Sequence, residues 1–264
     1  MKFARFITDC ADPNATLRLG LRGQILFGTP PQIAHVRTEI EAAGLLIDAL
    51  DVASGNEGVI FVNVAPRNGD VQRKHHNGVP FGYFLVGRTL VVSTIGPETL
   101  SLGARLGIIK TVHIFDIPTV VTWAVASSLL SQSEADDLIV TQFRSLRFAP
   151  LVGKWLSETR DVPSEPVSID TIVNSSCKCR VWFVDCFGNC KTTQFVCGHE
   201  VPERLAGNFK FYPRLKDVPD DGQPAWIIGS SGYDNNRFLE LVVQGRSAAE
   251  VLQLRPGSLI PDAG

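Results

Sequence analysis

The chain has 264 residues, of which 44% are hydrophobic and 20% are charged, and its formal net charge at pH 7 is −2. These values are typical of a globular protein with a sizeable core, and they exclude the strong basic charge of a protein that binds nucleic acid or an anionic membrane. The chain reaches Asp9 too early for the apolar core of a signal peptide, and no apolar run is long enough to cross a bilayer. We therefore expect a cytoplasmic protein with neither nucleic acid nor membrane as a partner.

The first half of the chain alternates segments typical of strands with segments typical of helices. Strands are predicted in KFARFITD, which ends at Asp9, in GVIFVNVAP and in FGYFLVGRTLVVST. Thr38 and Glu41 form a capping box at the start of a predicted helix, PETLSLGARLG predicts a short helix, and Pro118 opens another. This alternation predicts an α/β N-terminal domain with a largely parallel sheet over residues 1–163.

The character of the chain changes in its second half. Proline and charge between Asp161 and Ser168 mark a linker. Beyond it, short strands are predicted in CRVWFVD, FKFYP, AWIIGSS and FLELVVQG, and SAAEVLQL predicts a short helix with Ser247 and Glu250 as its capping box. We expect a smaller, all-β and barrel-like C-terminal domain over residues 168–264.

Cysteines concentrate in the second half, whereas Cys10 stands alone. The members of this group, with one histidine, are Cys177, Cys179, Cys186, Cys190, Cys197 and His199. Metal binding is one interpretation, but neither a C-x-x-C pair nor a zinc-ribbon spacing is present. The pattern favours reduced cysteines that act as small hydrophobic side chains, with no metal.

The stretch VWFVDCFGNCKTT places a carboxylate, a phenyl ring and an amide together at the end of a strand, as Asp185, Phe187 and Asn189. A turn explains Gly188 and Asn189, because both residue types tolerate positive φ. The same three groups also suit a flat ligand that bears an amine, such as a purine. The residues alone leave both interpretations open.

Taken in order, several segments resemble the S-adenosyl-L-methionine hydroxide adenosyltransferases, a family that also contains the fluorinating and chlorinating enzymes. The resemblance covers nearly the whole chain. FVDCFGNCKTT is close to the family's I-D-x-F-G-N-x-x-T-N, and IIGSSGYDNNRFLELVVQGRSAAEVL is similar to its final G-S-x-G-x-L-E-I-A segment. FITDCADPN, VNVAPRNGD and VHIFD are more distant versions of its T-D-F-G, V-D-P-G-V-G and F-H-G-R-D segments.

The resemblance implies a substrate site that is shared between the subunits of a homotrimer. Asp9 matches the family residue that binds the ribose hydroxyls. Five further residues match family residues that contact other parts of the substrate: Asp185, Phe187, Asn189, Ser230 and Ser231. Considered one by one, Asp185, Asn189, Ser230 and Ser231 are also explained as turn residues, and Asp9 as a helix N-cap.

The family cleaves S-adenosyl-L-methionine by attack of water on the ribose carbon that bears sulfur, and it needs no further cofactor. Of its Asp-Arg-His trio, His113 matches the histidine and Arg73 lies within one residue of the arginine, whereas Ala65 replaces the aspartate. Asp70 and Asp116 are near enough in sequence to compensate. We therefore expect a hydrolase that forms adenosine and L-methionine. A catalytically impaired protein that binds S-adenosyl-L-methionine or adenosine is the alternative, and a halogenase is a weaker one.

Overall fold

The computed structural model describes residues 1–64, 79–173, 178–198, 200–202 and 205–260. Two sheets, of seven and five strands, are formed there, and helices cover the larger sheet. The predicted mixed α/β architecture with a second sheet in the C-terminal part is confirmed. Within these residues, we find no helix with the length and apolar character that a membrane span requires.

The larger sheet combines parallel and antiparallel strands. Its members are β1 (Ala4–Thr8), β2 (Gln32–His35), β3 (Gly58–Asn63), β4 (Phe81–Val86), β5 (Thr89–Thr94), β6 (Thr111–Ile114) and β7 (Glu165–Ser168). Their order is β2-β1-β3-β5-β4-β6-β7, with parallel pairing from β2 to β5 and antiparallel pairing from β5 to β7. Parallel pairing therefore covers one half of the sheet rather than most of it.

Helices pack on both faces of this sheet. They are α1 (Pro13–Phe27), α2 (Glu39–Ala53), α3 (Ser101–Arg105), α4 (Ile117–Ala126), α5 (Gln132–Val140), α6 (Arg144–Arg147) and α7 (Ala149–Ser157). The predicted capping box begins α2: the Thr38 hydroxyl accepts from the Glu41 N–H, and the Glu41 carboxylate accepts from the Thr38 N–H at 2.9 Å. Helices α1, α4 and α7 bury their apolar side chains in one core, and α2 does so in a second core on the opposite face.

The predicted linker at residues 161–168 is wrong in its second half. Residues 165–168 form β7, where Val167 pairs with Val112 of β6, and Ile169 is buried directly after the strand. Pro166 and the neighbouring polar residues are compatible with this position, because β7 is an edge strand and proline is tolerated at sheet edges. The larger sheet thus continues past the predicted boundary.

The smaller sheet lies in the C-terminal part. Its strands are β8 (Val181–Val184), β9 (Cys190–Phe195), β10 (Lys210–Phe211), β11 (Ala225–Tyr233) and β12 (Asn236–Val242), in the order β10-β11-β12-β9-β8. One further helix, α8 (Ala248–Val251), begins at Ser247, whose hydroxyl accepts from the Glu250 N–H at 3.1 Å. Short 3-10 helices span Ile169–Thr171 and Leu215–Asp217.

Helix α2 joins the two sheets. One side of it packs in the core beneath β1 and β3, and the other side contacts β8 and β11. Trp182 of β8 is fully buried against this helix, and a Cβ atom at Gly44 would overlap its indole ring. Glycine is therefore required at position 44 for the indole to lie against the helix backbone.

Candidate functional site

The order of the first three strands creates a switch point in the topology of the larger sheet. From β1 the chain passes through α1 to β2, and then through α2 to β3 on the other side of β1. Leu19 of α1 packs with Phe6 on one face, whereas Leu46 of α2 packs with Ile7 on the other. The connections thus diverge between β1 and β3, and ligands of α/β sheets bind outside the carboxyl ends of the strands at such a switch point.

Asp9 and Asn63 lie at this switch point. Asp9 follows β1 directly, and Asn63 is the last residue of β3. The Asp9 N–H donates to the Asn63 carbonyl at 3.1 Å, and the Asn63 side-chain amide donates to Asp9 Oδ1 at 3.3 Å. A carboxylate oriented in this way is suited to accept hydrogen bonds from a pair of neighbouring hydroxyl groups.

The alternative interpretation of Asp9 as a helix N-cap is wrong. Helix α1 is capped by Asp12, whose carboxylate accepts from the Ala15 N–H at 2.9 Å, and Pro13 occupies the first helical position. Asp9 lies three residues earlier, at the carboxyl end of β1. The loop between the strand and the helix therefore contains two carboxylates with different roles.

His113 is not brought into contact with Asp9. It lies on β6, four strands away from β1, which corresponds to roughly 19 Å at the usual strand spacing. Its ring stacks on Tyr83 at 4.8 Å between centroids. Asp116, considered as a substitute for the missing aspartate, is the N-cap of α4 and accepts from the Thr119 N–H at 3.1 Å. Asp116 thus caps a helix, whereas His113 lies against an aromatic ring of the neighbouring strand β4.

The remaining members of the predicted trio, Arg73 and the Ala65 position, lie outside the described residues, as does Asp70. The same holds for Cys177 and His199. Within the described parts of the chain, no group of three His, Cys, Asp or Glu side chains is placed to hold a metal ion. Burial, with the nearby charges of Asp185 and Glu240, raises the pKa of the Cys190 thiol to about 12.

The predicted group in the second sheet forms a turn between β8 and β9. Asp185 Oδ1 accepts from the N–H groups of Phe187 and Asn189, both at 2.9 Å, and its Oδ2 accepts from the Asn189 side-chain amide at 3.0 Å. Gly188 has φ +83°, which glycine adopts readily. The Asp185 carboxylate therefore fixes the turn, and the Phe187 ring, which is 76% exposed, projects from it.

Ser230 and Ser231 lie on β11 and differ in their surroundings. The Ser230 residue is exposed, and its carbonyl accepts from Arg237 Nη1 at 3.2 Å. Ser231 is buried, donates its hydroxyl hydrogen to Asp48 Oδ2 of α2 at 2.9 Å, and accepts from the Lys191 ammonium group. Within this chain Ser231 therefore belongs to the contact between α2 and the smaller sheet.

Around Ser231 lies a buried polar network that the sequence analysis missed. Besides Ser231 it contains Asp48, Lys191 and Glu240, and Lys191 Nζ lies 3.6 Å from Glu240 Oε1. This distance fits an ion pair but exceeds a normal hydrogen bond, and Glu240 Oε1 has no hydrogen-bond partner among the described residues. The Lys191 ammonium group thus pairs with Glu240 directly, and it is linked to the half-buried Asp48 through the Ser231 hydroxyl.

Burial is the main cause that raises the pKa values of Asp48 and Glu240 above their ordinary range. Hydrogen bonding from Ser231 and the charge of Lys191 oppose this effect at Asp48, and Lys191 opposes it at Glu240. A glutamate inside the apolar run FLELVV carries no local signal of this role. Only the strand register, which places Glu240 opposite Lys191, shows it.

We expect Glu240→Gln to change how stability depends on pH. Burial raises the pKa of Glu240 in the folded state. Such a carboxyl group contributes most to the free energy of unfolding below its unfolded pKa of about 4, and this contribution declines as the pH rises through the folded-state pKa. The natural protein should therefore lose stability relative to Glu240→Gln as the pH rises above about 4. Urea unfolding midpoints at about pH 4 and about pH 8 measure this difference, and a difference independent of pH would contradict the assignment.

Neither a protein-family profile nor a curated protein matches the chain. Solved structures do resemble it. An uncharacterized conserved protein from Thermotoga maritima aligns over 99% of this chain and all of its own, with a TM-score of 0.62 and 15% identity. A conserved hypothetical protein from Thermus thermophilus aligns over the full length of both chains, with a TM-score of 0.57 and 16% identity. At such identities the likeness concerns the fold alone, and it includes both sheets.

Proposed function

We propose that this protein binds S-adenosyl-L-methionine with Asp9 at the ribose hydroxyls and hydrolyses it to adenosine and L-methionine. The observation that carries this proposal is the Asp9–Asn63 pair at the switch point between β1 and β3. The sequence resemblance assigned the ribose to Asp9, and the sheet topology independently favours a ligand at the same edge. The sulfonium group leaves readily, so that the protein mainly has to position a water molecule and promote its deprotonation.

The remainder of the proposed site comes from a second copy of the chain. Phe187 projects from a turn that Asp185 fixes through three hydrogen bonds, and its exposed ring offers a face on which adenine can stack. In the proposed homotrimer, this turn of the C-terminal sheet meets Asp9 of the adjacent subunit. An intersubunit site also agrees with the position of the turn on a different sheet from Asp9.

A second candidate function is binding without hydrolysis. It is favoured by Ala65, which replaces the family's aspartate, and by the packing of His113 on Tyr83. In this version the Asp9 edge and the Phe187 turn retain the nucleoside, but no general base activates the water. Absence of a general base typically costs about 10²- to 10⁴-fold in rate.

Incubation of the purified protein with S-adenosyl-L-methionine, followed by quantification of adenosine and methionine, tests the proposal. We expect both products in equal amounts and a loss of about 100-fold in kcat/KM for Asp9→Ala, because hydrogen bonds to a charged group contribute about 1.5–3 kcal/mol each. Asp12→Asn is the matched control, since asparagine serves equally well as an N-cap and the rate should be retained. Equal rates in the natural protein and Asp9→Ala would contradict the assignment of Asp9.

Two further outcomes separate the candidates. Calorimetric binding of S-adenosyl-L-methionine without product would select the binding protein, and no binding of it or of adenosine at millimolar concentration would eliminate both. If the site lies between subunits, coexpression of Asp9→Ala with Phe187→Ala should restore about a quarter of the natural activity, because some interfaces then contain both natural residues. If the coexpressed variants recovered no activity, Asp9 and Phe187 would either belong to the site of one subunit or not form a site together.

A further inference from the structure

A groove of about 480 Å³ lies among the helices on the face of the larger sheet that α1 and α7 cover. Its walls are mainly leucine side chains from α1, α5, α6 and α7 and from the segment before α5, among them Leu21, Leu130, Leu138 and Leu151. Leu21 and Ile25, on adjacent turns of α1, are 51% and 75% exposed. The groove is thus large enough for a small molecule, and part of its apolar surface is exposed to water in the described chain.

The charged side chains of the groove are mainly arginines. Arg18, Arg22 and Arg147 line it together with a single carboxylate, that of Glu134. Glu134 is engaged in the capping box of α5, where it accepts from the N–H and the hydroxyl of Ser131, both at 2.8 Å. Arg147 lies 3.8 Å from Asp137, and Arg18 lies over the Phe143 ring at 5.2 Å.

Arg22 differs from these two arginines. Its Nε atom is buried without a hydrogen-bond partner, and across the described residues its guanidinium group forms neither a hydrogen bond nor an ion pair within 4.0 Å. Burial and the neighbouring charge of Arg147 lower the pKa of Arg22, and Glu134 offsets this only in part. A partly desolvated cation without a partner is unfavourable, and an anion placed beside it would remove that cost.

We propose that this groove binds a small anionic amphiphile, with a carboxylate or phosphate head at Arg22 and Arg147 and an alkyl chain along the leucine wall. The planar guanidinium group matches both kinds of head through paired hydrogen bonds. The alkyl chain would cover Leu21 and Ile25, which are apolar side chains in contact with water. This site shares no residue with the proposed nucleoside site and does not depend on it.

Isothermal titration calorimetry with octyl phosphate and octanoate tests the proposal. Octanol has the same chain without charge, and inorganic phosphate has the head without the chain, so both should bind more weakly. Arg22→Met keeps most of the apolar volume and removes the charge, and we expect it to raise the Kd of octyl phosphate at least tenfold. Arg88→Met, at an exposed arginine in the turn between β4 and β5, is the matched control and should leave the Kd unchanged.

A thermal melt separates this effect from misfolding. Without ligand, Arg22→Met should melt at the same temperature as the natural protein or higher, because the variant lacks a partly buried unpaired charge. Unchanged octyl phosphate binding in Arg22→Met, or no binding of either charged probe at millimolar concentration, would overturn the proposal. Two other results would also overturn it. If Arg22→Met weakened only the sedimentation of the protein with anionic phospholipid vesicles, the occupant would be a membrane. If it weakened only self-association, the occupant would be a second copy of the chain.

Discussion

Lys191→Met is expected to lower the free energy of unfolding by about 3–5 kcal/mol at neutral pH, the usual effect of removing one partner of a buried ion pair. The Lys191 side chain is 15% exposed and that of Glu240 is 8% exposed. Lys191 also donates to the Ser231 hydroxyl, which in turn donates to Asp48. The substitution would therefore leave the buried Glu240 carboxylate without its cation, and Ser231 without the donor of one hydrogen bond.

Urea unfolding of matched variants measures this loss. Lys216→Met, at an exposed lysine, should change the free energy of unfolding by less than about 0.5 kcal/mol. Adding Glu240→Gln to Lys191→Met should recover most of the loss, because the unpaired carboxylate is then gone. The penalty should also shrink toward about pH 4, where Glu240 can take up a proton. An equal loss in the single and double variants would show that lost packing, rather than unpaired charge, is the cause.

Local signals predicted the parts of the fold that local interactions determine. The capping box at Thr38 and Glu41 and the apolar run of β3 depend on residues close in sequence, and both lie where they were predicted. Helix α1 was missed, although Asp12 followed by Pro13 is a typical N-terminal helix pair. Asp12 and Pro13 lie within FITDCADPN, the segment that resembles the family's T-D-F-G, so that the resemblance and the helix signal overlap there.

Features that depend on strand pairing were not accessible to the same reasoning. Residues 165–168 look like a linker because their proline and charge are tolerated at a sheet edge, and only pairing with β6 identifies them as β7. The Asp9–Asn63 contact and the Lys191–Glu240 pair join residues far apart in sequence. The sequence contained every residue of these sites, but the sheet order is what brings them together.

Trp182→Ala is expected to lower the free energy of unfolding by about 3–5 kcal/mol, as other buried large-to-small substitutions do. Trp182 is fully buried between α2 and the smaller sheet, where it contacts Phe238 edge-to-face at 5.7 Å between centroids. Its loss removes apolar contact from both partners. Trp182→Phe should cost less, because it keeps an aromatic ring and removes an indole N–H that is buried without a hydrogen-bond partner among the described residues.

Gly44→Ala tests the same contact from the helix side. In an ordinary helix interior this change stabilises by about 0.5–1 kcal/mol. Here the added methyl group would overlap the indole of Trp182, and we expect a loss of about 1–3 kcal/mol instead. In the Trp182→Ala background the overlap is gone, so that Gly44→Ala should become neutral or stabilising. The same cost in both backgrounds would show that the indole does not require the glycine, because only the clash makes alanine unfavourable at this position.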